Sequence, residues 1–294
     1  MGQIIISERL APATVAQPRT YAVHTETEIR FPGQVMQQRT AALLRYTVTQ
    51  LLPDGHHLAE LLTLELKAES AAGPLVELLL DIARANSPLQ LEIDARGQLE
   101  RVRNKAQLAA QWRELLPWLQ TKHRATPGAL VLLNQVGVQY ADDNDRLEQA
   151  LANKGHCGAM LPGLLGLRPA SGDVRTDCKT LHQFFKDGAL PLLVDWQTSV
   201  ADVFDQTAEV TGTGRLDTAR FDQAAFRQQL DAMTGAMPRP PALQVASAER
   251  YTVSRVGQGI VAGEQTLRVG IPGIYEHNTR HTTQQVVAAS SATL

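Results

Sequence analysis

Cysteine is nearly absent, with two residues in a chain of 294. That number cannot build a disulfide-stapled scaffold. Aromatic residues make up only 5% of the chain, so stacking platforms for bases or sugars are scarce. Neither sign of charge dominates: 28 Lys and Arg stand against 30 Asp and Glu, a formal charge of −2. This excludes a polybasic nucleic-acid binder and an acidic solvating tail. The densest basic group, Arg96, Arg101, Arg103 and Lys105, has Glu100 among it and no interleaved aromatics, which falls short of a nucleic-acid footprint. No apolar run approaches the length of a membrane span. The opening Met1–Glu8 has no basic region and only Ile4, Ile5 and Ile6 as an apolar run, so it lacks a secretory signal. The expected location is the cytoplasm with reduced thiols, unless a leader has been removed ahead of Met1.

What the sequence does contain is a period of two. Tyr21, Val23, Thr25, Thr27, Ile29 and Phe31 alternate with Ala22, His24, Glu26, Glu28 and Arg30 before Pro32-Gly33. That pattern predicts a strand with one wet face. Ala42, Leu44, Tyr46 and Val48 predict a second strand. After Pro53-Asp54-Gly55, Leu58, Leu62, Leu64 and Leu66 predict a third, read across a hairpin. Pro74 opens a helix with the stripe Leu75, Leu78, Leu79 and Ile82. A hairpin follows at 89–102. Asn104 is then an N-cap candidate for a helix striped by Leu108, Trp112, Leu115 and Leu119, which Pro117 kinks or ends. From Thr121 the pattern degrades into a Gly- and Pro-containing middle. Strand patterns return from Leu190 onward, and the Thr- and Gln-rich stretch Asn278–Val287 reads as an edge strand.

Regular β-α-β alternation is missing, so a doubly wound parallel sheet is not expected. The order predicts an α+β fold, with a curved antiparallel sheet, helices on one face and an irregular helical insertion in the middle. The expected organisation is an N-terminal arm at 1–17, one α+β domain at 18–287 with the insertion at about 121–180, and a frayed tail at 288–294.

Few constellations carry chemistry. His156 and Cys157, with Cys178 and His182, supply zinc-type ligands, and a spacing of four would place Cys178 and His182 on one helix face. The adjacency of His156 and Cys157 makes joint coordination awkward, and no C-x-x-C knuckle is present. Gly257-Gln258-Gly259 precedes a strand pattern, not a helix, so it reads as a turn and not as a phosphate loop. His56, His57, His277 and His281 read as surface residues. G-x-S-x-G and H-E-x-x-H are both absent, so no catalytic residue and no cofactor is assigned.

Three functions follow. The first is a non-catalytic binding or assembly protein, with a protein partner or self-association through a Thr/Gln-rich strand edge. The second is a carrier of an apolar ligand, enclosed by the sheet and Leu-rich helices and lined by residues such as Leu44, Leu64 and Trp112. The third is a metal-dependent enzyme built on His156, Cys157, Cys178 and His182.

Overall fold

The computed structural model describes residues 15–69, 73–140, 144–152, 155–167, 174–184, 188–202, 207–234, 241–254 and 259–286. Most of the expected arm, the whole expected tail and Gly257-Gln258 lie outside these residues.

The chain opens with three long strands, β1 (Arg19–Phe31), β2 (Gln34–Leu51) and β3 (His57–Ala68). Helix α1 (Pro74–Ala85) and the short hairpin β4 (Leu89–Ile93) and β5 (Leu99–Val102) come next. Four helices fill the middle: α2 (Lys105–Lys122), α3 (Ala129–Gln139), α4 (Arg146–Leu151) and α5 (Gly155–Met160). Strands β6 (Arg175–Phe184), β7 (Gly188–Asp202) and β8 (Thr207–Leu216), helix α6 (Gln223–Thr234), and strands β9 (Gln244–Ser254), β10 (Gly259–Ile271) and β11 (Tyr275–Val286) complete it. The helical insertion therefore gives way to strand at Arg175, earlier than the sequence pattern suggests.

All eleven strands form one antiparallel sheet in the order β5-β4-β3-β2-β1-β11-β10-β9-β8-β7-β6. Each strand pairs with its sequence neighbour except at one seam, where β1 and β11 pair in the centre. β11 is thus a central strand, held by β1 on one side and β10 on the other. The expectation of an edge strand at Asn278–Val287 is corrected. The true edges are β5 and β6, which the helices α2–α5 separate in sequence.

The sheet curls until these edges approach each other. Helix α4 packs against both β5 and β6. The Arg96 guanidinium, in the β4–β5 turn, lies 3.9 Å from the Asp177 carboxylate on β6. Leu165 N–H donates to Arg96 C=O at 2.8 Å, and the Leu165 side chain fills the space beside Gly97, whose φ of +87° suits glycine. The result is an incomplete barrel with helices at its gap.

The period of two names the concave face correctly in β1 and β2. Tyr21, Val23, Ala42, Leu44, Tyr46 and Val48 are buried there. Pro32-Gly33 makes the tight turn between the two strands, with Gly33 at φ +78°. In β3 the parity differs from the expected one: His57, Ala59 and Leu61 face inward. A β-bulge explains this. Leu43 opposes Glu65 and Leu44 opposes Thr63, so Leu64 is the extra residue and the inward set shifts to Leu66. His57 is 2% exposed and its Nε2 meets Tyr46 Oη at 2.9 Å, so it is a core residue and not a surface one.

Two apolar clusters line the concave side. One joins β1–β4 to α1–α5, and the other joins β6–β10 to Leu164 and Leu167. Asn104 does sit at the start of α2, but its side chain does not cap the helix. It accepts from Gln90 N–H and donates to Pro88 C=O, tying the helix start to β4. Pro117 lies inside α2, which continues to Lys122. No described helix is long and apolar enough to cross a membrane.

Candidate functional site

On the concave face, between the two clusters, lies a cavity of about 410 Å³. One wall is β1, β11, β10 and β9. The opposite wall is β6 and β7, brought over by the curl of the sheet, and Gly155 of α5 closes one end. The volume falls in the range of small-molecule sites.

The cross-strand register sorts the lining into layers. In the deep layer Thr25, His281, Gln265 and Glu249 stand opposite one another on four successive strands. One step out come Thr27, Thr279, Leu267 and Ser247, and Ile29, His277 and Tyr275 line the far end. Leu181 and Leu192 face them from β6 and β7. The cavity therefore has a polar, hydrogen-bonded end under α5 and a wall of hydroxyl and apolar groups beyond it.

The polar end is closely knit. Lys179 Nζ reaches Glu249 Oε1 at 2.8 Å, with the two side chains only 7% and 3% exposed. Tyr251 Oη donates to Glu249 Oε2 at 2.9 Å, and Gln265 Nε2 donates to the same oxygen at 3.1 Å. Gln265 also contacts Tyr251 Oη and donates to the Gly158 carbonyl of α5 at 3.2 Å. Burial, reinforced by the neighbouring Glu249 charge, holds the Tyr251 phenol protonated well above its ordinary range. His281 Nδ1 lies 2.8 Å from Thr25 Oγ1. Burial presses the His281 pKa down to about 4, and the positive charges that His156, Lys179 and His277 carry or can gain push the same way. His156 is lowered by burial alone, and its Nε2 is buried without a hydrogen-bond partner among the described residues. An orphaned buried polar atom costs about 1–3 kcal/mol.

The four proposed metal ligands do not converge. His156 is beside the cavity on α5. Cys157, next to it in sequence, is fully packed in the apolar cluster, where burial pushes its thiol up to about 12. Cys178 and His182 lie on a strand, not on a helix, so a spacing of four separates them by about 13 Å. Cys178 is exposed and alternates with the inward Lys179 and Leu181, which places it on the convex face. Among the described residues a different triad, His56, Glu92 and Glu100, brings ligand atoms within 4.8 Å of one another. Its members are already engaged, Glu100 by His56 at 2.9 Å and Glu92 by Arg103 at 2.9 Å.

Nor do the three expected ligand contacts line this cavity. Leu44 is core, 2% exposed. Trp112 packs between α2 and α3 against Tyr140, ring centroids 5.7 Å apart. Leu64 sits at the bulge, 40% exposed. The residues that do line it were visible as polar side chains at inward parity, Thr25, Thr27 and Thr279 among them, but only the register shows that they meet.

No known family matches the chain, and no curated protein matches it. A solved structure concerning lipid–protein interactions in lipovitellin is similar at a TM-score of 0.47 and 10% identity. The match covers 95% of this chain but only 26% of that one. A likeness this loose assigns neither a fold family nor a ligand to this protein.

Proposed function

We propose that this chain is a non-catalytic carrier that holds an apolar or amphipathic molecule between its curved sheet and its helices. The observation that supports this reading is the cavity itself: a concave space in which Ile29, Leu181, Leu192 and Leu267 share the walls with Thr27, Thr279 and Ser247, and the buried Lys179–Glu249 pair lies at one end. A concave space of this size that offers aliphatic contacts together with placed polar groups is suited to a small molecule.

Assembly through a Thr/Gln-rich edge has lost its structural basis, because β11 is central. The edge strand β5 spans only Leu99–Val102 and α4 packs on both edges, which blunts edge pairing. A protein partner draws on a separate observation, the exposed apolar residues Trp118, Leu130 and Val131 on α2 and α3, 53%, 57% and 62% exposed.

The test is displacement of the fluorescent apolar probe N-phenyl-1-naphthylamine by 1-dodecanol. Wild type is expected to bind the probe saturably, one per chain. Thr279→Trp, which fills the centre of the cavity, is expected to lose binding while keeping its far-ultraviolet circular dichroism. Unchanged binding in a folded Thr279→Trp would refute the reading.

A further inference from the structure

We infer that the deep end of the cavity receives an oxyanion headgroup, a carboxylate, phosphate or sulfonate borne on an alkyl chain, between Lys179 and His281. This deepens the carrier reading and rests on it.

The groups that face this point come from five elements. They are Thr25 on β1, Lys179 on β6, Glu249 on β9, Gln265 on β10 and His281 on β11. His156 on α5 stands behind them, close enough for its charge to oppose that of His281. The only carboxylate in this set is Glu249, and it is already satisfied. One oxygen accepts from Lys179, and the other accepts from Tyr251 and Gln265. Its charge is matched one-for-one by Lys179. What remains is Nε2 of His281 and the N–H groups of Lys179 beyond the one given to Glu249. The remaining capacity is therefore for donors and for positive charge.

Thr25 occupies His281 Nδ1, leaving Nε2 as the ring nitrogen for a ligand. Without a bound anion, protonating His281 is opposed by burial and by the positive charges that His156, Lys179 and His277 carry or can gain. A bound oxyanion reverses that balance, because each proton taken up then faces a negative charge. Binding and proton uptake become one linked event. The layer above, Thr27, Thr279, Leu267 and Ser247, is uncharged and suits the first carbons of a chain.

The experiment compares two probes of equal chain length, 1-dodecanol and dodecane-1-sulfonate, below their aggregation limits, at pH 8 and pH 5.5. The sulfonate stays ionised at both, so any pH effect belongs to the protein. The sulfonate is expected to bind at least tenfold more tightly at pH 5.5 than at pH 8, while the alcohol changes by less than twofold. In His281→Gln the preference for sulfonate over alcohol shrinks and loses most of its pH dependence. His277→Gln, a second variant nearer the open end, retains most of both. If the two probes bind alike at both pH values in wild type, the headgroup inference is wrong and the carrier reading stands. If neither binds, both are wrong.

Discussion

The Lys179–Glu249 pair offers the sharpest energetic test of the curled sheet. β6 and β9 are separated by β7 and β8. On a flat sheet their axes would lie about 14 Å apart, beyond the reach of one lysine and one glutamate. In this protein the charged atoms are 2.8 Å apart and almost fully buried. Removing one partner from a buried ion pair costs about 3–5 kcal/mol, because the other charge is left uncompensated. For Lys179→Met we expect the lower end, about 3 kcal/mol, since Glu249 keeps the Tyr251 and Gln265 donors. Glu249→Gln should cost a comparable amount by stranding the ammonium. The double variant carries neither charge and should be less destabilised than the two single losses added together. The resulting coupling energy is about 2–3 kcal/mol, the upper range for directly contacting residues. Urea unfolding of the four proteins measures it. A coupling below about 0.5 kcal/mol would mean that the two side chains do not meet, and the curl over the cavity would be refuted.

Other outcomes follow from the same packing. The thiol reagent DTNB should label Cys178 rapidly in the native protein and Cys157 only in denaturant, because one is exposed and the other buried; two fast thiols would contradict the placement of α5. Gly212→Ala should destabilise by about 1–3 kcal/mol through overpacking, since an added Cβ would come within 2.5 Å of the Trp196 ring; a neutral change by thermal unfolding would contradict it. His57 is held to about 4 by burial, below the value of about 6.5 for an unfolded histidine. The unfolded chain therefore binds more protons between these values, and stability should be complete above pH 6.5 and fall as pH drops to 4, by up to roughly 3 kcal/mol for this group. His57→Gln should flatten that limb in pH-dependent urea melts. Asp81 joins α1 to α2 through Lys122 and through His123 at 2.8 Å. Burial alone would raise its carboxyl, but these hydrogen bonds and charges together lower it. Asp81→Asn should cost about 1–3 kcal/mol in the same assay.

The sequence made the strand-rich, antiparallel character of the fold readable because Tyr21–Phe31 in β1 and Ala42–Val48 in β2 alternate in sequence. It misplaced β3 because one bulged residue, Leu64, shifts parity, and a leucine-rich strand looks the same in either phase. The pattern degrades after Thr121 in part because α3 is apolar nearly all round and leaves Leu130 and Val131 outside. The Thr/Gln content of β11 was read as an edge because threonine and glutamine tolerate water. In the fold Thr279 faces the cavity, Thr283 is buried, and the strand is paired on both sides. The Cys178–His182 spacing depended on a helix, and a strand turns the same interval into a separation. The deep polar layer was the least legible feature. Thr25, Gln265, Glu249 and His281 are each ordinary alone, and they share a layer only through three cross-strand registers, one of them the pairing of the first strand with the last.

The most direct measurement of what the cavity does is paramagnetic broadening of methyl signals by a chain-end nitroxide, 16-doxyl stearate, added at one equivalent. The account predicts that Ile29, Leu181, Leu192 and Leu267 broaden together and recover when 1-dodecanol displaces the label. Broadening confined to Leu130 and Val131 on the outer helices, with the four cavity methyls untouched, would contradict it.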